Sequence, residues 1–181
     1  LYVTRFPELF IKMNEGQLDL FVSSVSGTVP GTKPAGLWFS APYLRDDGLA
    51  AIIHSPKIAE RIRTQFAQHS RKWDTLAAVQ QAFAGLTIAV QKGRSAHLYA
   101  QANLSQIRLV VCDSLPAAIE TRDPTIDVIF SKHSIIEYVS KRVWQEWSPL
   151  TKPDGSPLLL TRDDLSIVTS AEHRRLQWFL N

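Results

Sequence analysis

The chain has 181 residues, 45% hydrophobic and 20% charged, which is the composition of an ordinary folded protein and excludes a disordered, collagen-like or coiled-coil chain. The net charge of +3 arises from 20 Lys and Arg interspersed with 17 acidic residues, so no nucleic-acid partner is predicted. The one cysteine excludes an internal disulfide and a zinc site built on several thiolates.

The first part of the chain predicts a helix and two strands. Apolar side chains at helical spacing predict a helix over residues 6–15, which a glycine ends. A short apolar run predicts a buried strand over residues 18–22, and the small and polar residues 23–36 then predict a loop whose backbone can approach another molecule. A turn over residues 39–43 leads into a second apolar strand, over residues 48–53.

The remainder of the chain alternates between helices and strands, which favours an α/β fold with mostly parallel sheets. A tight loop follows the strand at residues 86–90, so the next helix directs backbone N–H donors and the positive end of its dipole at whatever lies in front of the loop. No apolar run approaches the roughly 20 residues of a membrane-spanning helix. The predicted helices cover residues 58–70, 75–83, 95–102, 114–120, 134–147 and those from Ser170 onward, and the predicted strands cover residues 86–90, 107–111, 125–130 and 165–169.

Several of these segments carry patterns that occur together in one family. Gly16-Gln-Leu-Asp19 ends the first helix, Ser23-Ser-Val-Ser26 follows the first strand, and Phe39-Ser-Ala-Pro-Tyr43 forms the turn. Leu86 to Ser95 reads as a strand with a glycine-serine type of loop, and Ile126-Asp127 opens a later strand. In this order the patterns resemble the type II periplasmic solute-binding proteins of the amino-acid-binding kind, extracellular solute-binding protein family 3.

The resemblance implies a two-lobed α/β fold of the type II periplasmic-binding-protein class, with mostly parallel sheets flanked by helices. Two hinge crossings connect the lobes, near residues 53–57 and 158–166. It also implies that first-lobe segments precede Leu1, so that the chain is incomplete at its N-terminus, and that the last helices continue beyond Asn181. The implied division is residues 1–55 with 165–181 for lobe 1, residues 75–150 for lobe 2, and residues 56–74 and 151–164 for the connecting and hinge segments.

The resemblance places the ligand between the lobes, where loops converge at the strand ends. Serines in such a loop also serve as simple turn formers, and a serine that opens a helix also serves as its N-cap. The implied ligand contacts are Ser23, Ser24 and Ser26 in lobe 1, and Gln91, Arg94, Ser95 and Lys132 in lobe 2.

The charges at these positions depart from the family pattern. The resemblance implies an arginine after the serine loop to hold an α-carboxylate, but residues 27–36 contain none, and Lys33 is the only charged residue there. It also implies an aspartate for an α-ammonium group at the position of Lys132, and a small hydroxyl residue at the position of Arg94. The predicted ligand is therefore unlike an ordinary α-amino acid.

Two interpretations of these cations stay open. In the first, Arg94, Lys132 and the helix start at Ser95 form a cationic pocket for an anion without an ammonium group, such as a dicarboxylate, phosphonate or sulfonate. In the second, the cleft has lost its specificity, Arg94 and Lys132 point to solvent, and the module serves as a sensor ectodomain or an interaction domain.

The function implied is that of a periplasmic solute-binding component of an ABC-type importer, which catalyses nothing and delivers a small amino-acid-like or anionic solute to a membrane permease. The alternative is a ligand-sensing ectodomain fused to a transmembrane kinase or cyclase. An enzyme on this scaffold would need an acid in the cleft, for which Asp113 is the only candidate near a strand end. No cofactor or metal site is predicted, because the five histidines lack metal-binding spacing and are interpreted as surface or capping residues.

Overall fold

The structure is a computed structural model, and it describes residues 6–26, 35–68, 75–115, 123–142 and 147–181. The chain divides into two compact units. The first comprises Leu1–Asp47 and Arg162–Asn181, and the second comprises Gly48–Thr161. Residues 116–120 of the helix predicted over 114–120 lie outside the described residues.

The described elements alternate as predicted, and the α/β fold class is confirmed. The helices are α1 Phe6–Asn14, α2 Pro56–Gln68, α3 Leu76–Phe83, α4 Ser95–Asn103, α5 His133–Arg142 and α6 Arg174–Leu180. The strands are β1 Leu20–Ser26, β2 Leu37–Leu44, β3 Leu49–Ile53, β4 Thr87–Gln91, β5 Arg108–Cys112, β6 Val128–Lys132, β7 Ser148–Pro149 and β8 Leu165–Ser170.

The first unit contains a three-stranded sheet in which β8 lies between β1 and β2 and runs antiparallel to both. Helix α1 covers one face, because its apolar side chains recur at helical spacing and those of β1 alternate. The rings of Phe10 and Phe21 meet edge to face, with centroids 5.3 Å apart. The buried centre of this core consists of Met13, Phe21, Val25 and Val168.

The segment predicted as a turn, residues 39–43, lies within strand β2 and carries an irregularity in its pairing. The register with β8 shifts between Phe39 and Pro42, where a proline provides no N–H for the ladder. The Ser40 hydroxyl accepts the Ile167 N–H at 3.0 Å, so a side chain satisfies a backbone donor at the bulge. This gives a structural reason for the serine of the Phe39-Ser-Ala-Pro-Tyr43 pattern.

The second unit contains a five-stranded mixed sheet in the order β5-β4-β6-β3-β7. Strand β4 runs parallel to both of its neighbours, whereas β3 runs antiparallel to β6 and β7. Strands β3 and β6 are buried along their whole length, as expected of apolar runs covered on both faces. Parallel pairing, predicted for most of the fold, therefore describes only β5, β4 and β6 on one side of this sheet, while the other described pairs are antiparallel.

The second unit also includes segments that the sequence-based division places elsewhere. Residues 48–55, assigned to lobe 1, contain β3, which pairs with β6 along its length. Residues 151–161, assigned to a connecting segment, bring Leu158 and Leu160 into the same core as β3. The division differs because an apolar run predicts burial without indicating which sheet it joins.

The chain passes between the units after Asp47, rather than near residues 53–57, and again after Thr161. On the first-unit side, the Asp47 N–H donates to the Asp163 carbonyl at 2.7 Å. On the second-unit side, the Leu49 N–H donates to the Thr161 hydroxyl at 2.9 Å. The two passages are therefore hydrogen-bonded to each other on both sides of the boundary.

Within the described ranges, each helix is too short or too polar to cross a bilayer.

Candidate functional site

The candidate site of the second unit lies at the sheet edge where the carboxyl ends of β4, β5 and β6 meet. These ends share one edge because β4 is parallel to both neighbours. Gln91 pairs with Cys112 across β4 and β5, and Lys132 ends β6. Lys132 also pairs with Leu49 at the start of β3. In open α/β sheets, ligands bind outside the carboxyl ends of the strands.

The loop from β4 to α4 satisfies its own backbone donors. The Lys92 N–H donates to the Cys112 carbonyl at 2.8 Å, and the Arg94 N–H donates to the Gln91 carbonyl at 3.2 Å. The Gly93 N–H donates to Nδ1 of His97 at 3.2 Å. The loop donors that the sequence predicts to face a ligand are therefore engaged within the protein.

Helix α4 begins at Ser95 itself, the residue predicted to be its cap. Arg94 has extended backbone angles, φ −82° and ψ 164°, and its carbonyl accepts the Leu98 N–H at 3.2 Å. Arg94 is therefore the N-cap, and Ser95 is the first helical residue rather than the cap. Since Leu98 makes the first intrahelical bond, the N–H groups of Ser95, Ala96 and His97 are the donors that the helix geometry leaves for another partner.

Arg94 is a half-buried cation at this helix start. Burial lowers the pKa of its guanidinium to about 10, so it remains protonated at neutral pH. A cation in a partly dehydrated position attracts an anion more strongly than one in bulk water, because the local dielectric is lower. Arg94 and the positive end of the α4 dipole thus act in the same direction.

Lys132 is 3% exposed, which overturns the interpretation that it points to solvent. Side chains alternate along a strand, so Lys132 shares a sheet face with Val128 and Phe130. Those two residues pack in the same core as Ala96 of α4. Lys132 therefore lies on the α4 side of the sheet, at the edge where that helix begins.

Gln91 and Asp113 lie at the end of the site next to β5. Nε2 of Gln91 donates to the Asp113 carbonyl at 3.1 Å, so this amide braces the ends of β4 and β5. Burial, followed by the nearby Asp113 carboxylate, raises the pKa of the Cys112 thiol, which disfavours the thiolate. Asp113 itself is exposed, and nothing in this geometry gives it the buried environment of a catalytic acid.

Asp127, which the sequence patterns place at the start of a strand, lies at the opposite end of the sheet from the candidate site. It immediately precedes β6, and its carboxylate accepts the N–H of Thr87, the first residue of β4, at 2.8 Å. Its own N–H donates to the Thr87 carbonyl at 3.0 Å. Asp127 therefore holds the amino ends of two strands together, far along the strands from their carboxyl ends.

Replacing Asp127 with alanine is expected to lower the free energy of unfolding by about 1–3 kcal/mol, because the buried Thr87 N–H loses its acceptor. Asp127→Asn is the matched control, since its amide oxygen can still accept and should cost less. Urea denaturation followed by circular dichroism measures both. An Asp127→Ala variant of unchanged stability but weakened ligand affinity would contradict this structural role.

The serines predicted to contact a ligand lie in the first unit. Ser23, Ser24 and Ser26 all belong to strand β1 rather than to a loop, since β1 pairs with β8 again at Ser26 and Leu165 after an irregularity between Val22 and Ser26. The Ser23 side chain is half-buried, while those of Ser24 and Ser26 lie outside the described residues. The structure thus brings Gln91, Arg94, Ser95 and Lys132 to one sheet edge and leaves these serines as a separate group.

Sequence reasoning missed two residues that support these segments. The Tyr43 hydroxyl donates to the Ser23 carbonyl at 3.0 Å, and burial, aided by the Asp47 carboxylate, raises the pKa of Tyr43. His97 accepts from Gly93 within the β4–α4 loop. A histidine in the first turn of a helix, four residues after a loop glycine, is the signal that could have indicated the second contact.

No three His, Cys, Asp or Glu side chains of the described ranges are grouped as metal ligands would be.

Comparison with known proteins identifies the fold. No protein-family model and no curated protein sequence matches the chain. The GluR0 ligand-binding core in complex with L-glutamate is similar, with a TM-score of 0.74 and 16% identity over 100% of this chain and 71% of that one. The amino acid ABC transporter substrate-binding protein AbpA from Streptococcus pneumoniae, bound to L-arginine, has a TM-score of 0.74 and 14% identity over 99% of this chain and 66% of that one.

The holo form of ArgBP from T. maritima also matches, with a TM-score of 0.73 and 17% identity over 99% of this chain and 68% of that one. The chain therefore spans about two thirds of the length of these proteins. At these identities the likeness establishes the fold, which is that of the two-lobed periplasmic-binding-protein class named from the sequence patterns.

Proposed function

We propose that this protein is a solute-binding protein of the ABC-importer type, which binds a small organic anion at the carboxyl edge of the second-unit sheet and catalyses no reaction. The observation that carries the proposal is the arrangement of α4. Its first-turn N–H groups, its N-cap Arg94 and the buried Lys132 all lie at the edge where ligands of α/β sheets bind.

The charge of this edge supports an anionic ligand. Two cations and a helix N-terminus attract carboxylate, sulfonate or phosphonate oxygens, whereas a ligand ammonium group would need a nearby carboxylate. Asp113, the acidic residue closest in sequence to the end of β5, is exposed and turns its carbonyl toward Gln91. The ligand class proposed is therefore an anion without an ammonium group, in contrast to the L-glutamate and L-arginine of the similar structures.

The proposed contacts are those that the sequence patterns indicate. In the second unit they are Arg94, Ser95 and Lys132, with Gln91 bracing the strand ends. In the first unit they are Ser23, Ser24 and Ser26 of β1. We also infer a periplasmic or other extracytoplasmic, membrane-associated location and a membrane permease as partner, since the similar S. pneumoniae protein is named as an ABC transporter component.

A thermal-shift screen of the protein, produced as its full natural chain, tests this function. The panel contains succinate, ethanesulfonate and methylphosphonate, together with L-glutamate, L-arginine and L-alanine, each at matched ionic strength with sodium chloride as the control. A ligand at 100 times its Kd stabilises the folded state by about 2.7 kcal/mol. A rise in Tm with an anion that lacks an ammonium group is expected. A response to the zwitterionic amino acids alone overturns the ligand class, and no response in the whole panel contradicts the binding function.

A ligand-sensing ectodomain is the second candidate function, favoured by the likeness to the GluR0 ligand-binding core. The two functions differ in the event that ligand binding triggers, which is transport in one case and signalling in the other. Deletion of the gene should abolish uptake of the labelled ligand for an importer component. For a sensor it should leave uptake intact and abolish the cell's response to the ligand.

A further inference from the structure

We propose that His97 is a positioning residue of the binding loop, which it holds in place only while its imidazole is neutral, so that ligand affinity falls as the pH is lowered. This inference rests on the proposed function, because the loop it positions carries Arg94. It adds to that function a pH dependence whose origin is a single hydrogen bond.

The geometry of this bond fixes the protonation state of the ring. The Gly93 N–H donates to Nδ1 of His97 at 3.2 Å. A ring nitrogen accepts a hydrogen bond only through its lone pair, so Nδ1 carries no proton and the hydrogen of the neutral ring is on Nε2. Protonation at Nδ1 would place two hydrogens against each other and break the contact.

The donor of this bond, Gly93, is the loop residue with the greatest backbone freedom. Gly93 has φ 74°, in the left-handed region that glycine adopts readily. On its two sides, Lys92 is bonded to Cys112 and Arg94 to Gln91. The His97 ring therefore ties the middle of the loop to the first turn of α4, next to the N-cap Arg94.

The charged groups around His97 lie on the loop, on α4 and on the neighbouring strands. His97 itself occupies the third helical position of α4. The loop itself contributes two further cations. The titratable and charged groups of the loop, of α4 and of the strands and strand ends packed against it are Lys92, Arg94, Tyr99, Arg108, Cys112, Asp113, Asp127 and Lys132.

Loss of the bond is expected to weaken ligand binding rather than abolish it. An exposed hydrogen bond of this kind is worth roughly a two- to tenfold change in an equilibrium constant. If the loop adopts its binding geometry for a smaller fraction of the time, the apparent affinity falls by that fraction. The bond is present while the His97 ring is neutral and is lost when Nδ1 carries a proton.

The first test follows the Gly93 amide by NMR, without any ligand. Wild type is compared with His97→Asn, whose side-chain oxygen can accept from Gly93 and does not titrate, and with His97→Phe, which has no acceptor. At about pH 5.5, Gly93 of wild type should exchange its amide hydrogen roughly two- to tenfold faster than Gly93 of His97→Asn, and at about pH 8 the two should agree. The His97→Phe protein should exchange fast at both pH values. Equal exchange in wild type and His97→Phe at high pH overturns the proposal.

The second test measures the Kd of ethanesulfonate, whose charge is constant over this pH range. Wild type should lose affinity relative to His97→Asn on acidification, by the same roughly two- to tenfold factor. If wild type instead gains affinity, the protonated ring contacts the anion directly and the positioning role is wrong. If ethanesulfonate binds at no pH, that result counts against the proposed function, and the Gly93 measurement alone decides the role of His97.

Discussion

Replacing Gly48 with alanine is expected to lower the free energy of unfolding by about 3 kcal/mol or more. A Cβ at this position would lie 1.7 Å from the Thr161 carbonyl oxygen and 2.7 Å from its carbonyl carbon. Both are backbone atoms, so no side-chain rotation relieves the overlap. The cost arises from the close approach of two chain segments rather than from backbone strain, since Gly48 has no left-handed backbone angle.

The surroundings of Gly48 also prevent the two segments from moving apart. Its carbonyl accepts the His133 N–H at 2.9 Å, and the Leu49 carbonyl accepts the Leu160 N–H at 2.7 Å. Separation by the distance that a methyl group needs would break these bonds and the one between Leu49 and the Thr161 hydroxyl. Gly48→Ala should therefore unfold at much lower urea concentration than wild type, as followed by circular dichroism.

Gly155→Ala is the matched control for this substitution. Gly155 lies in the same unit, has φ 82°, and would place its Cβ in open space. Its replacement should cost only the backbone strain of about 1–2 kcal/mol. If both variants lose the same stability, the close contact of Gly48 with Thr161 is not what requires glycine there.

Most elements of this fold were predictable from local patterns, although β2 was predicted in part as a turn and β7 was not predicted. Strand β3 and strand β4 were found because an unbroken apolar run between polar residues is typical of a strand buried on both faces. Their assignment to a unit was not predictable, since β3 joins the second sheet through its pairing with β6. Pairing between segments so far apart in the sequence leaves no local signal. The same holds for Leu158 and Leu160, whose burial depends on the β3 backbone.

The candidate site could be predicted only in part, again because only local patterns leave a signal in the sequence. The loop after β4 was identified because the order of strand, glycine and helix start is local. The hydrogen bonds that the loop N–H groups donate to Gln91, Cys112 and His97 were not predicted, because they depend on how the loop folds back. The sequence left open whether Lys132 lines a pocket or points to solvent, because a lysine at a strand end is usually solvated, and in the structure it is buried. The role of Asp127 was not predicted, because its carboxylate accepts from Thr87 at the amino end of β4, a segment distant in the sequence.

Removing the cation at the start of α4 is expected to have the largest effect on binding. Arg94→Gln should weaken the affinity for an organic anion by about 10–100-fold, the value of a charge-assisted hydrogen bond in a partly buried position. The guanidinium is half-buried and protonated at neutral pH, with its pKa lowered by burial to about 10. Lys132→Met, which keeps the length of the side chain while removing its charge, should weaken binding by a similar factor.

Lys92→Gln is the matched control for both substitutions. Lys92 lies on the same loop, two residues before Arg94, but its side chain is exposed, and solvent and salt screen an exposed charge. Isothermal titration with the anion found by the thermal-shift screen should therefore give a Kd within about twofold of wild type for Lys92→Gln. If Lys92→Gln weakens binding while Arg94→Gln does not, the anion lies on the outer side of the loop, and the α4 start is not its site. If Arg94 and Lys132 contact the same anion, the double variant should lose less affinity than the two single losses combined, because removal of one contact loosens the other.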